Sequence, residues 1–353
     1  MVRFPNPRSR HPFHMHDMIR GQPAFVRETL DRLHEVDARA FLGTARNLVV
    51  TGCGTSFHAA MIGARMLQEA LGDETAVHAV HAYDLLHGFV LPADCSVLGV
   101  SHSGTTSTTN DALGLARRSG VTTRGLCGLP GTRMAEVAES MLVIGSVHDH
   151  SWANTMSYTS QLTAFARLAE AVSPEPRYLL PAGVDAVPDL LQETLRCEVR
   201  VRRLARAAAR SRRLTFLGSG LDDVTALEAA LKIRETCSFP ASGYHIEQFL
   251  HGPFLSLDRR ESVIALRSND DDEREAEILR GLERTGAAVT TIGEAADADI
   301  RLPAADRLVR PIVSVVPLQF VAYYAALAKK ANPDIMRSDL PRYRSGLAPL
   351  FGS

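Results

Sequence analysis

Two apolar runs far apart in the chain end in the same kind of turn: "VVTGCGTS" at 49–56 and "TFLGSGLD" at 215–222. Each opens a series in which short strand-like runs alternate with helix-like runs. In the first half "NLVVTG", "TAVHAVHA", "CSVLGV", "TTRGLCGL" and "MLVIG" read as strands. Between them "SFHAAMIGARMLQEALG" and "TTSTTNDALGLARRSG" read as helices closed by Gly72 and Gly120, and "NTMSYTSQLTAFARLAEAV" as a long helix. The second half repeats the plan with "RLTFLGSG", the helix "TALEAALKIRETCS", then "SVIALRS", "AAVTTIG" and "DIRLP". Its last segment, "PIVSVVPLQFVAYYAALAKKANPD", reads as a strand-like start followed by a helix. Strand–helix alternation with short links predicts a mostly parallel sheet covered on both faces, here twice over. The fold class expected is α/β, two tandem domains each of three αβα layers.

Residues 1–45 read as an arm and a helix, with Pro23 in a first helical turn. Residues 46–173 form the first domain, 174–190 a Pro-rich linker, 191–330 the second domain and 331–353 a tail. With 353 residues and 45% hydrophobic content, two ordinary cores are expected. A formal net charge of −1 gives no reason to expect nucleic acid or an anionic membrane as partner. No run reads as long enough to span a bilayer, and the N-terminus lacks a signal-peptide core. The five cysteines are odd in number, scattered and never in CxxC pairs, which points to free thiols in a reducing cytoplasm. Neither Gly/Ser turn matches GxGxxG or a P-loop, so a dinucleotide site and a nucleotide phosphate loop are both rejected.

The stretch "VSHSGTTSTTN", 100–110, crowds hydroxyls where a strand hands over to a helix. Such a junction is either an N-capped turn or an oxyanion cradle, because the first helical N–H groups lack intrahelical partners. Of the histidines, His11, His14 and His16 have no acidic or thiol partner at ligand spacing. His148 and His150 flank Asp149, which reads better as a pocket loop than as a metal site. No metal or cofactor is expected.

The order of motifs resembles the isomerase half of glucosamine-6-phosphate synthase, the glutamine–fructose-6-phosphate amidotransferase, a tandem of two sugar isomerase (SIS) domains. The resemblance runs from about Met15 to Pro341 and rests on "MHDMIRGQP", "CGTS" (53–56), "SHSGTT" (101–106), "ANTMSYTSQL" (153–162), "LEAALKIRE" (227–235), "HGP" (251–253) and "DLPR" (339–342). It implies that Ser101, His102, Ser103 and Thr106 bind a sugar phosphate. It places Cys53, Gly54, Thr55, Ser56, Ala153, Asn154 and Thr155 at the sugar, and makes Glu235 the proton-transferring base. His251 becomes the ring-opening group, and Lys232 is a helix neighbour of Glu235. Taken alone, Glu235 also fits an exposed carboxylate paired with Arg234 or Lys232, and His251 a simple turn residue. The family further implies a homodimer whose His251 reaches the neighbouring subunit's site, and a tail that closes on that site.

Three departures matter. The chain starts "MVRFPNP" where the synthases carry a glutaminase domain, so glutamine hydrolysis by that route is not expected. Gly346 occupies the place of the family's imine-forming tail lysine; the chain's only lysines are Lys232, Lys329 and Lys330, and an arginine cannot substitute. Thr105 stands where the synthase loop is acidic, and "ASGYHIEQFLHGP" replaces a stretch that in the synthases carries more carboxylates, of which Glu247 and Gln248 are what remain. The function expected is isomerisation of a hexose or amino-hexose phosphate coupled to loss or gain of ammonia, with free ammonia or a separate donor protein as the nitrogen source. The alternative is a phosphosugar-sensing protein without turnover.

Overall fold

The computed structural model describes residues 6, 8–173, 183–267 and 273–347. The chain enters through α1 (His14–Leu33) and α2 (Ala38–Leu42). The first repeat runs β1 (Asn47–Gly52), α3 (Thr55–Leu71), β2 (Ala76–His81), α4 (Ala82–His87), β3 (Cys95–Ser101), α5 (Ser107–Arg118), β4 (Thr122–Cys127), α6 (Met134–Val137), β5 (Ser140–Val143) and α7 (Met156–Val172). Next come α8 (Val187–Thr194) and α9 (Glu198–Ala208). The second repeat runs β6 (Arg213–Gly218), α10 (Asp222–Cys237), β7 (Ala241–His245), α11 (Ile246–Phe249), β8 (Glu261–Arg267), α12 (Glu273–Glu283), β9 (Ala288–Gly293), β10 (Ile300–Arg301) and α13 (Arg310–Ala328). The last described element is α14 (Pro341–Leu347).

Each repeat builds a five-stranded, wholly parallel sheet, ordered β2-β1-β3-β4-β5 and β10-β9-β8-β6-β7. Read outward from its first strand, each sheet has the same order. The central strands are apolar on both sides, as strands covered by helices on both faces must be: β1, β3, β6 and β8 are buried along almost their whole length. The strand order reverses at β1 in one sheet and at β6 in the other, so each has a crevice beyond the carboxyl ends of its strands. The two sheets are joined by helices: α3 packs on α7 and α10, α10 on α13, and α1 on α7, α8 and α13.

Several elements differ from the sequence expectation for stated reasons. The first helix begins at His14, so Pro23 sits inside it and not in its first turn. Proline leaves the carbonyl four residues back without its helical donor; here that carbonyl, Ile19 O, takes the Gln22 side-chain amide at 2.9 Å. The start of α1 is fixed from the far end of the chain, where Asp334 accepts the His14 and Met15 N–H groups at 2.9 Å each. Residues 174–182 of the expected linker lie outside the described residues, and its last part is already helical, since α8 starts at Val187. β7 went unrecognised because glycine sits at its centre. A Cβ on Gly243 would lie 2.3 Å from the Ala226 carbonyl, so the glycine lets α10 lie directly on the strand.

The segment "PIVSVV" is helical from its start, within α13. Its β-branched run is buried all round, a setting in which apolar periodicity cannot separate a strand from a core helix. α13 is also long and apolar enough to cross a membrane, contrary to expectation, but 89% of that window is buried inside the fold.

Candidate active site

The loop from Ser101 to Thr106 leaves the end of β3 beside the reversal point. Gly104 makes the bend at φ +62°, and a Cβ there would lie 2.1 Å from Thr132 Oγ1, so only glycine fits. Its N–H donates to Ser101 Oγ at 3.1 Å, and its carbonyl accepts from Asn110 Nδ2 at 3.1 Å and from the Met134 N–H at 3.0 Å. Thr106 occupies the N-cap position of α5 but makes no capping bond; its hydroxyl lies 3.1 Å from Ser101 Oγ. The first turn of α5 therefore keeps its N–H groups uncapped by Thr106, and the half-buried Ser103 and exposed Thr105 hydroxyls meet each other at 2.9 Å. This arrangement suits an anion better than a plain capped turn does.

His102 plays a different part in the loop from the one the sequence pointed to. Its ring is 7% exposed, and Nε2 lies 3.0 Å from the Val147 carbonyl. A carbonyl only accepts, so Nε2 carries the hydrogen. Nδ1 is buried without a partner, and burial drives the imidazole pKa down to about 4. The ring is a neutral brace under the loop, with no cationic charge to offer a phosphate.

The neighbouring turn, Cys53–Ser56, follows β1. Thr109 Oγ1 donates to Cys53 Sγ at 3.7 Å, which ties the two loops together, and Gln161 Nε2 donates to Ser56 Oγ at 3.0 Å. Ala153, Asn154 and Thr155 precede α7. There the buried Asp149 accepts the Thr155 N–H at 2.6 Å and the Ser157 hydroxyl at 3.4 Å. Asp149 is thereby committed to holding the start of α7, and among the described residues no group of three or more His, Cys, Asp or Glu side chains is placed to hold a metal.

The centre of the site is where the first domain's turn meets the second domain's helix. Thr55 Oγ1 donates to Glu228 Oε1 at 3.0 Å and accepts from Lys232 Nζ at 3.0 Å. Lys232 donates on to Glu235 Oε2 at 2.5 Å and lies 3.3 Å from Glu228 Oε1. His58, one turn into α3, places Nδ1 2.6 Å from Glu228 Oε2. Glu228, Lys232 and Glu235 share one face of α10 by their i, i+4, i+7 spacing.

Glu228 and Lys232 are each 1% exposed, yet both stay charged because they answer one another. For Glu228, burial favours the neutral acid, but Lys232 and the His58 hydrogen bond outweigh it and hold the carboxyl below its ordinary value. For Lys232, burial pulls downward and the two carboxylates more than restore it. Glu235 goes the other way: burial lifts its pKa above the usual carboxylate value, and Lys232 only partly opposes this. A carboxylate beside a fixed ammonium, with a raised proton affinity, is suited to taking and returning a proton.

Glu228 and His58 were not identified from the sequence, although the i, i+4, i+7 pattern in "LEAALKIRE" pointed to the first of them. His251 is not brought to this cluster within the chain. It sits on an exposed turn after α11, and among the described residues no hydrogen bond or ion pair joins it to Glu235. The tail touches the site's border through Asp334, whose carbonyl accepts the Trp152 N–H at 3.3 Å. Gly346 lies in α14 with open space about it, and residues 348–353 lie outside the described residues.

The sequence pattern of the SIS domain matches residues 41–171 and 209–329. The glutamine–fructose-6-phosphate aminotransferase [isomerizing] of Aquifex aeolicus is 29% identical over 336 residues, covering 92% of this chain and 55% of that protein. The chain thus spans about half the length of the curated relatives it matches. Among solved structures, the C-terminal domain of glucosamine-fructose-6-phosphate aminotransferase from Francisella tularensis superposes with a TM-score of 0.82 at 19% identity, covering 92% of this chain and 98% of that one. Glucosamine-6-phosphate deaminase from Thermotoga maritima gives 0.76 at 20% identity, covering 92% and 96%.

Proposed function

The chain belongs to the SIS domain family, and from that membership we propose that it is a phosphosugar enzyme of the isomerase type. The substrate is a hexose or amino-hexose phosphate. Its phosphate sits on the Ser101–Thr106 loop and the start of α5, and its open chain lies against Cys53–Ser56 and Ala153–Thr155. The observation that carries the reading is Thr55, which joins the sugar-side turn of one domain to Lys232, and through it to Glu235, of the other.

Glu235 takes the proton from C2 of the open-chain aldose, giving an enediolate, and returns it to C1 while the O2 proton passes to O1, which gives the ketose; the reverse direction uses the same steps. Lys232 stays an ammonium throughout and steadies the carboxylate. Where C2 carries an amino group, the C2 proton goes instead to C1 by way of an enolamine, and the resulting ketose imine loses ammonia to water. His251 is assigned to ring opening from the second subunit of a homodimer.

Three assays on the purified protein test this: interconversion of glucose 6-phosphate and fructose 6-phosphate, ammonia release from glucosamine 6-phosphate, and calorimetric binding of each sugar. Turnover in either reaction is expected, with Glu235→Gln losing roughly 10²–10⁴-fold in rate while binding persists. Binding with no turnover in the unmutated protein would favour sensing. Failure to bind any of these phosphates would overturn the loop assignment.

A further inference from the structure

The cluster on α10 holds two carboxylates, Glu228 buried and Glu235 partly exposed, and one buried ammonium. Lys232 spends its three N–H groups on Thr55, Glu228 and Glu235, so it has nothing further to give. Buried charge is tolerated when it is paired, and one ammonium does not balance two carboxylates. Glu228 Oε1 is served by Thr55 and Lys232, while Oε2 has His58 as its hydrogen-bond partner. An ionised carboxylate only accepts, so His58 Nδ1 carries the hydrogen. Without that donor, Glu228 Oε2 would be a buried acceptor with no partner and would draw Lys232 away from Glu235.

We propose that His58 is a positioning residue for the proton-transfer base: it holds Glu228, and so keeps Lys232 on Glu235. This rests on the reading of Glu235 as the base. The effect passes from α3 in the first domain to α10 in the second, so the base depends on the two domains staying docked. The neighbours of His58 do not duplicate its role. On α10, Asp223 is paired with Arg65 of α3, and Asp222 with Arg310 and Ser314. On α7, the Tyr158 hydroxyl is buried without a partner. On β2, His81 Nδ1 accepts the Tyr83 N–H, and among the described residues no hydrogen bond links His78 or His81 to Glu228. Asp149 is held by the α7 start.

The test is the titration of the Glu235 carboxyl carbon by ¹³C NMR, its signal assigned by its loss in Glu235→Gln. It is read in the unmutated protein, in His58→Asn and in His58→Phe, the second filling the volume with no donor. His58→Phe is expected to move the Glu235 midpoint upward by about half a unit, less than the roughly 1–3 units of a directly adjacent opposite charge, and His58→Asn, whose amide keeps a donor toward Glu228, by less than that. The low-pH limb of kcat/KM for fructose 6-phosphate should move up with it, while the high-pH plateau changes less than about threefold. An unmoved Glu235 midpoint in folded His58→Phe, or an equal loss of rate at every pH, would overturn the proposal by making His58 a mere spacer. If the unmutated protein turns over no sugar phosphate, the functional reading fails while the carboxyl titration still decides this one.

Discussion

At the scale of single residues, the loop histidine shows how much a motif leaves to its surroundings. "SHSGTT" is the loop to which we assign the phosphate, and the resemblance counts His102 among the residues that bind it. What decides is burial, which no local spacing reveals: a ring 7% exposed against Val147 is held neutral. A stability prediction follows from the sign of its shift. His102 has its pKa lowered to about 4 from 6.5, so the unfolded chain binds this proton more readily than the folded one. Stability is complete above the unfolded value and is lost as pH falls from about 6.5 toward 4, by up to about 3 kcal/mol. Urea midpoints taken between pH 7 and pH 4.5 should fall more steeply in the unmutated protein than in His102→Gln, which keeps a donor for Val147 but cannot titrate. Equal slopes would mean that the ring is not the buried neutral brace described here. Glu235 carries the opposite kind of shift. Its raised value means that activity should fall on the acid side at a pH above that of an ordinary glutamate, because the base must be ionised to act.

Elements were legible where their pattern is local and obscure where a distant residue supplies the reason. The alternation of β1, α3, β3 and α5 could be read because the strands are short apolar runs and the helices between them carry a helical period and are closed by Gly72 and Gly120. The start of α1 could not, because Asp334 caps it from the other end of the chain. Nor could β7, whose glycine serves α10. The same holds for the site: both glycine turns stood out, whereas Glu228 and His58 acquire meaning only when two domains dock. Asp334→Ala should cost about 1 kcal/mol for the lost cap, seen as a lower melting temperature, with sugar-phosphate affinity unchanged, because the Trp152 N–H bonds to the backbone carbonyl that alanine keeps. Gly104→Ala tests the anion loop as a unit. At φ +62° and against Thr132, the added methyl must distort the bend that sets Ser101 and Ser103, so phosphate-dependent binding should weaken at least about tenfold. Unchanged affinity for fructose 6-phosphate in a folded Gly104→Ala protein would remove the phosphate from this loop.

At the scale of the whole molecule, what matters is which chemical groups the chain can bring to a sugar. Its three lysines are all accounted for: Lys232 is buried and held by three acceptors, Lys329 lies 4.0 Å from the centre of the Phe239 ring, and Lys330 is exposed just beyond α13. An ammonium pinned between two carboxylates cannot attack a carbonyl. Borohydride added during turnover should therefore leave the protein mass unchanged, and a sugar adduct on any lysine would show an imine route that this arrangement does not supply. The position of His251 leads to the last expectation. Within one chain it stands on an exposed turn away from Glu235, with Leu255 nearby at 76% exposure. If a second copy brings its His251 to the Glu235 of the first, every site needs one residue from each chain. Glu235→Gln and His251→Asn proteins, each inactive alone, should then recover activity when unfolded together and refolded at equal amounts. Half of the resulting dimers carry one intact site of two, so the yield should approach about a quarter of the unmutated rate. No recovery from mixtures shown to contain hybrid dimers would place ring opening within a single chain, and His251 would lose its assigned role.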